Sequence, residues 1–143
     1  MPITINGTGT ITGINAGGLP DGVITTDDIA ANAVTLGKIG TTEQGQLCKA
    51  WVNFNGTGTV AIRASFNVSS ITDNGVGDYT VNFTTALPDA NYGRVMSGSR
   101  GSNQIVVNTF LLTSPTTSAL RILCILIGGG AEDTSEVNVA IFR

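Results

Sequence analysis

From Trp51 onward, no segment of this chain holds one side-chain pattern for longer than a single strand before a strong turn signal interrupts it. Asn55-Gly56-Thr57-Gly58, Asp73-Asn74-Gly75-Val76-Gly77, Leu87-Pro88-Asp89-Ala90, Gly98-Ser99-Arg100-Gly101-Ser102, Ser114-Pro115 and Gly128-Gly129-Gly130 punctuate it at short intervals. Each of these stretches is rich in residues that reach positive φ or fix a bend. Helices of ordinary length do not fit between such breaks, whereas strands of about five to eight residues do.

The segments between the breaks read accordingly. Ala50-Trp51-Val52-Asn53-Phe54 and Val60-Ala61-Ile62-Arg63-Ala64-Ser65-Phe66 flank an Asn-Gly pair, the signature of a hairpin. Tyr79-Thr80-Val81-Asn82-Phe83-Thr84 alternates strictly, so Tyr79, Val81 and Phe83 share one face and the polar residues the other. Residues 92–96, 104–112, 119–127 and 136–142 supply further β-rich runs. Together they predict an all-β fold, an antiparallel β-sandwich or β-roll knob of about seven strands. Composition agrees: only 12% of residues are charged, and Gly, Thr, Asn and Ser fill 60 of 143 positions, which excludes coiled coils and charged disordered tails.

Two of the runs are apolar on both faces. Ile105, Val107 and Leu111 oppose Val106, Phe110 and Leu112, while Leu123, Ile125 and Ile127 oppose Leu120, Ile122 and Leu126. A two-layer sandwich buries one face of each sheet, so the surplus calls for a second cover, preferentially a subunit interface and otherwise a loop or the N-terminal arm.

The first 45 residues differ in kind. They hold no aromatic residue, and Ile14, Leu19, Ile24, Ile29, Val34 and Ile39 recur every five positions. Five residues advance a helix by roughly 140° net and swap faces in a strand, so neither element keeps these side chains on one stripe. The spacing suits an extended arm, residues 1–45, that lays apolar anchors on a surface, ahead of a knob domain at 46–143. Within the arm, residues 26–34 predict a short helix with Thr26 as N-cap and Gly37 as stop.

The chemistry is sparse. The chain has no histidine, which removes His-dependent triads and His-ligated zinc. A net charge of −3 gives no basic field for nucleic acid. The opening MPITINGTGT lacks the basic and apolar regions of a signal peptide, and no run reads as a membrane span. Cys48 and Cys124 read as buried free thiols rather than a disulfide or metal ligands. The acidic groups Asp27/Asp28, Asp73/Asp78 and Glu132/Asp133/Glu136 lack calcium-loop spacing and read as solvated loop acids. Gly7-Thr8-Gly9, Gly56-Thr57-Gly58 and Gly75-Val76-Gly77 open no helix and read as turns. Trp51, the sole tryptophan, is expected in the core; the alternative is a sugar-stacking platform with Tyr79 and Tyr92. Neither catalysis nor a cofactor nor a metal is expected.

Two stretches carry a resemblance. Gly22-Val23-Ile24-Thr25-Thr26-Asp27-Asp28-Ile29-Ala30-Ala31-Asn32-Ala33-Val34-Thr35-Leu36-Gly37-Lys38-Ile39 resembles the repeated units of bacteriophage tail-fibre shafts. The stretch from Ala50-Trp51-Val52-Asn53-Phe54-Asn55-Gly56 through Asn67-Val68-Ser69-Ser70-Ile71-Thr72-Asp73 to Asp78-Tyr79-Thr80-Val81-Asn82-Phe83-Thr84 is similar to a C-terminal domain of phage tail-fibre and virion proteins. The resemblance implies a homotrimer at the virion surface. One shaft-like unit and one β domain fit a capsid cement or head-fibre protein that binds the major capsid protein through Leu19, Ile24, Ile29, Val34 and Ile39. The alternative it leaves is a short tail fibre or adhesin tip, joined to a tail protein and binding a host-surface glycan.

Overall fold

A computed structural model of the chain describes residue 27, residues 29–100, the backbone of 106–110, and residues 114–143. The chain divides between Ile39 and Gly40 into two units. In the first, residues 29–35 run as bends and a turn, with the Ala33 N–H donating to the Ala30 carbonyl at 2.9 Å. Asp27 has 3₁₀ geometry, but Asn32, at φ 64°, breaks the helical path predicted across 26–34; a further 3₁₀ turn follows at Leu36–Lys38.

The second unit begins with the short helix α1 (Thr41–Gln46) and continues as eight strands. These are β1 (Cys48–Asn55), β2 (Ala61–Phe66), β3 (Val68–Gly75), β4 (Asp78–Phe83), β5 (Gly93–Ser99), β6 (Val106–Phe110), β7 (Ala119–Leu126) and β8 (Glu136–Phe142). They form two four-stranded antiparallel sheets: sheet A in the order β2-β1-β8-β5, and sheet B in the order β3-β4-β7-β6. The all-β class and the Asn-Gly hairpin are as the sequence predicts. The strand beyond the expected seven is β3, whose Asp73-Asn74-Gly75 end reads as loop yet pairs along β4 as far as Asp78.

The inner faces meet in one core. Sheet A contributes Ala50, Val52, Phe54, Val137, Val139 and Ile141, and sheet B contributes Val68, Tyr79, Val81, Phe83, Leu120, Ile122 and Cys124. Period-two burial in β4 and β8 follows from the alternation of their side chains. Phe54 meets Tyr79 edge-to-face at 5.2 Å, and Phe83 meets Tyr92 at 6.1 Å, contacts worth about 0.5–1.5 kcal/mol each beyond area burial.

Two devices join the layers. At Asn67, φ 55°, a single residue turns the chain from β2 in sheet A to β3 in sheet B. Its amide donates to the Lys49 and Thr85 carbonyls at 3.2 and 3.1 Å and its Oδ1 accepts the Thr85 N–H at 2.8 Å. At the other end, the buried Tyr79 hydroxyl lies 2.8 Å from the Gly56 carbonyl and 2.9 Å from Asp133 Oδ1, which also accepts the Gly77 N–H at 2.8 Å. The Gly56 N–H donates in turn to the Thr134 carbonyl. Gly56 has no room for a side chain: a Cβ there would lie 2.5 Å from the Tyr79 oxygen and 2.9 Å from the Thr134 carbonyl.

Gly56→Ala is therefore expected to destabilise the sandwich by about 1–3 kcal/mol, the usual cost of overpacking. Tyr79→Phe, which removes this buried donor and leaves Asp133 with the Gly77 N–H alone, should cost a similar 1–3 kcal/mol or so. Denaturant unfolding of the two variants against the parent checks both, and an unchanged midpoint in either would remove this tie from the account.

Candidate functional site

Because the inner faces are consumed by the core, any site on the sandwich lies on its outer faces, edges or loops. On sheet A, the register places Phe66, Trp51, Ala140 and Val95 in one row across all four strands. Phe66 is 55% exposed, Trp51 40% and Val95 61%. Three large apolar side chains thus stand in water on neighbouring strands, with the small Ala140 between two of them. The next row is polar, running Ala64, Asn53, Asn138 and Ser97. Asn53 donates to Asn138 Oδ1 at 2.6 Å, and Asn138 donates to the Ser97 hydroxyl at 3.4 Å and to Glu136 at 3.3 Å. Between the rows lies an open depression of about 210 Å³ bordered by Trp51, Val95, Met96, Ser97, Asn138 and Ala140.

The reason for Trp51's position is local. Ala50, Val52 and Phe54 are buried, so the alternation of β1 turns Trp51 outward with Asn53. This corrects the expectation of a core tryptophan. Nor do Tyr79 and Tyr92 join it in a platform, for both are buried in the core. The aromatic companion is Phe66, which lies opposite Trp51 in the hairpin and was not singled out in the sequence. The hairpin register would have found it, but a bulge at Asn53/Phe54 shifts that register.

The outer face of sheet B is divided. Its β3–β4 half is a polar lattice: Asn82 donates to Ser70 and Thr72, and Asn74 donates to Thr80 and Asp78. Arg121 closes this half with two hydrogen bonds to Asp78 at 2.9 and 2.6 Å. On β7 the outward side chains Leu123 and Ile125 are half-buried and Ile127, just beyond the strand, is 64% exposed. The matching expectation for 104–112 concerns side chains outside the described residues.

Of the acids flagged by the sequence, Asp28 lies outside the described residues, and those of the sandwich are engaged separately. Asp73 accepts the Gly75 N–H, Glu132 pairs with Arg100 at 2.6 Å, and Asp133 holds Gly77 and Tyr79. Among the described residues, no three metal-ligating side chains cluster and no helix is long and apolar enough to cross a membrane. Cys124 is buried and Cys48 half-buried, both free thiols; burial pushes the Cys124 thiol above its usual range. Of the anchor residues, Ile29 and Val34 are exposed and Ile39 is half-buried, while Leu19 and Ile24 lie outside the described residues.

No protein-family model, curated protein or solved structure matches this chain.

The Asp78–Arg121 pair generates a pH dependence. The Arg121 guanidinium holds the Asp78 carboxyl below its ordinary value of 3.8. A carboxylate depressed in the folded state contributes stability above its unfolded pKa and loses it as pH falls through the folded one. Arg121 is exposed, so solvent screening keeps the contribution small. Asp78→Asn should therefore lower the melting temperature slightly at neutral pH and narrow the gap to the parent below about pH 4, as read by thermal unfolding across a pH series.

Proposed function

We propose that this chain is a structural protein of a bacteriophage virion surface: a cement or head-fibre protein whose sandwich stands as a homotrimeric knob and whose N-terminal arm grips the major capsid protein. The observation that carries the reading is the outward column of β7. Half-buried Leu123 and Ile125 lie on the side of sheet B that faces away from the sandwich core, and Ile127 stands exposed in the turn that follows; apolar surface of that kind marks assembly faces. The stretch similar to the C-terminal domain of virion proteins folds as β1 to β4, which supply strands to both sheets and both rings of the Phe54–Tyr79 pair. Exposed Ile29 and Val34 support the arm as the part that binds elsewhere. Exposed apolar side chains of this kind gain from burial against another surface, which can offset an ordering cost of about 1–2 kcal/mol per residue.

Sedimentation or native mass measurement of the 14.6-kDa chain is expected to give a trimer, and Leu123→Ser combined with Ile127→Asp to give folded monomers. A stable monomer of the parent at micromolar concentration would defeat the trimer.

Changing Ile29 and Val34 to Ser should weaken binding to virus particles in a pelleting assay while leaving the melting temperature of the sandwich unchanged. Undiminished binding would remove the arm as the anchor.

A further inference from the structure

The outer face of sheet A carries an arrangement that the assembly reading does not use, and we infer that it is a binding site for a neutral, hexose-containing glycan. Trp51 on β1 and Val95 on β5 stand two strand spacings apart, about 9.6 Å between strand axes, with Ala140 on β8 between them. A pyranose ring fits a gap of that width over the Ala140 methyl, with its C–H face against the Trp51 indole. Stacking of this kind buries apolar sugar surface while the ring hydroxyls stay directed at polar groups.

Those polar groups are already in place. The hydrogen bonds from Asn53 to Asn138, and from Asn138 to Ser97 and Glu136, fix the orientation of the row beneath the hollow. Asn138 is fully committed within it. Asn53 Oδ1 accepts nothing, and the Ser97 hydroxyl donates to nothing, among the described residues. One fixed acceptor and one free donor, set on either side of Asn138 beside an aromatic face, are complementary to hydroxyls on opposite sides of a sugar ring, which both donate and accept. A purely apolar partner would leave both atoms buried and unpaired, an unfavourable outcome. The Glu136 carboxylate at the end of the row adds acceptor capacity and repels anionic sugars, so the ligand class is neutral rather than sialylated or uronic.

Trp51 is the only tryptophan, so its emission reports the site directly. The full chain is titrated with maltotriose, cellotriose, mannotriose, galactobiose and, as the charged comparison, sialyllactose. At least one neutral oligosaccharide should shift the emission saturably with a Kd on the order of 1 mM or tighter, and sialyllactose should bind more weakly. Ala140→Leu fills the hollow and leaves the reporter in place, and Asn53→Ala removes the free acceptor; each should weaken binding about ten-fold or more. Trp51→Ala, followed by calorimetry, should abolish it, with melting temperature and oligomeric mass unchanged. Absence of a saturable response to every neutral sugar, undiminished binding by Ala140→Leu, or a change of oligomeric mass in Trp51→Ala would each overturn the site. The last result would mean that a second copy covers this face. The trimer reading stands or falls separately, on the β7 variants.

Discussion

The sandwich depends on a joint of three chain segments built around one buried tyrosine. Tyr79 is fully buried and faces two acceptors, the Gly56 carbonyl and the Asp133 carboxylate. It has one proton to give, and the carboxylate is the stronger acceptor. Burial and that carboxylate push the phenol well above its ordinary range, so it stays protonated, and a donor, well into alkaline solution. Donated to Asp133, the hydroxyl holds β4 to the segment before β8, and the Gly56 N–H bond to the Thr134 carbonyl brings the end of β1 to the same segment. Gly77 shows how tight the joint is: at φ 67°, a Cβ there would lie 2.6 Å from both the Cys124 carbonyl and the Glu132 nitrogen.

Asn67 performs the complementary task at the opposite end. A crossing between sheets leaves backbone groups without ladder partners, and such groups are costly when shielded from water. Here one side chain serves carbonyls of Lys49 and Thr85 and the Thr85 N–H, while its own carbonyl accepts from Thr84. Asparagine tolerates the left-handed conformation better than other non-glycine residues, so one residue meets both demands. With the two ends fixed, β1–β2 and β3–β4 have little freedom of register, and the rows on the outer faces follow.

What was legible in the sequence divides along these lines. Strict alternation at 79–84 and Asn-Gly at 55–56 are local signals, and the strands and hairpin they predict are present. β3 was hidden because Asp73-Asn74-Gly75 carries turn chemistry that a neighbouring strand overrides: pairing with β4 outweighs local preference. Trp51 was misplaced although the pattern that places it is in plain view. Ala50, Val52 and Phe54 alternate with Trp51 and Asn53, so giving the apolar trio the core puts the indole outside; treating tryptophan as a core residue by type overrode the period. The Phe66–Trp51–Ala140–Val95 row could not be read at all, since it joins strands as far apart in sequence as β1 and β8 and its register passes a bulge.

Among the described residues, the two outer faces differ in what their polar atoms still need, and the proposed glycan site rests on that difference. On the β3–β4 half of sheet B, Asn74, Asn82 and Arg121 spend their donors on neighbours within the sheet. A ligand there would have to break bonds already made, for little net gain. On sheet A the chain from Asn53 through Asn138 ends in an unused acceptor and an unused donor beside an exposed indole. The chain orients those atoms before any ligand arrives, so binding forfeits little side-chain entropy and gains both the apolar contact and the missing hydrogen bonds. On β7, Arg121 is already bonded to Asp78 and the side chains beyond it, Leu123 and Ile125, offer apolar area, which suits a surface of the same chemistry on another copy. The two outer faces of one small sandwich thus differ in hydrogen-bonding state, and the proposed assembly face and the proposed glycan site each rest on that difference.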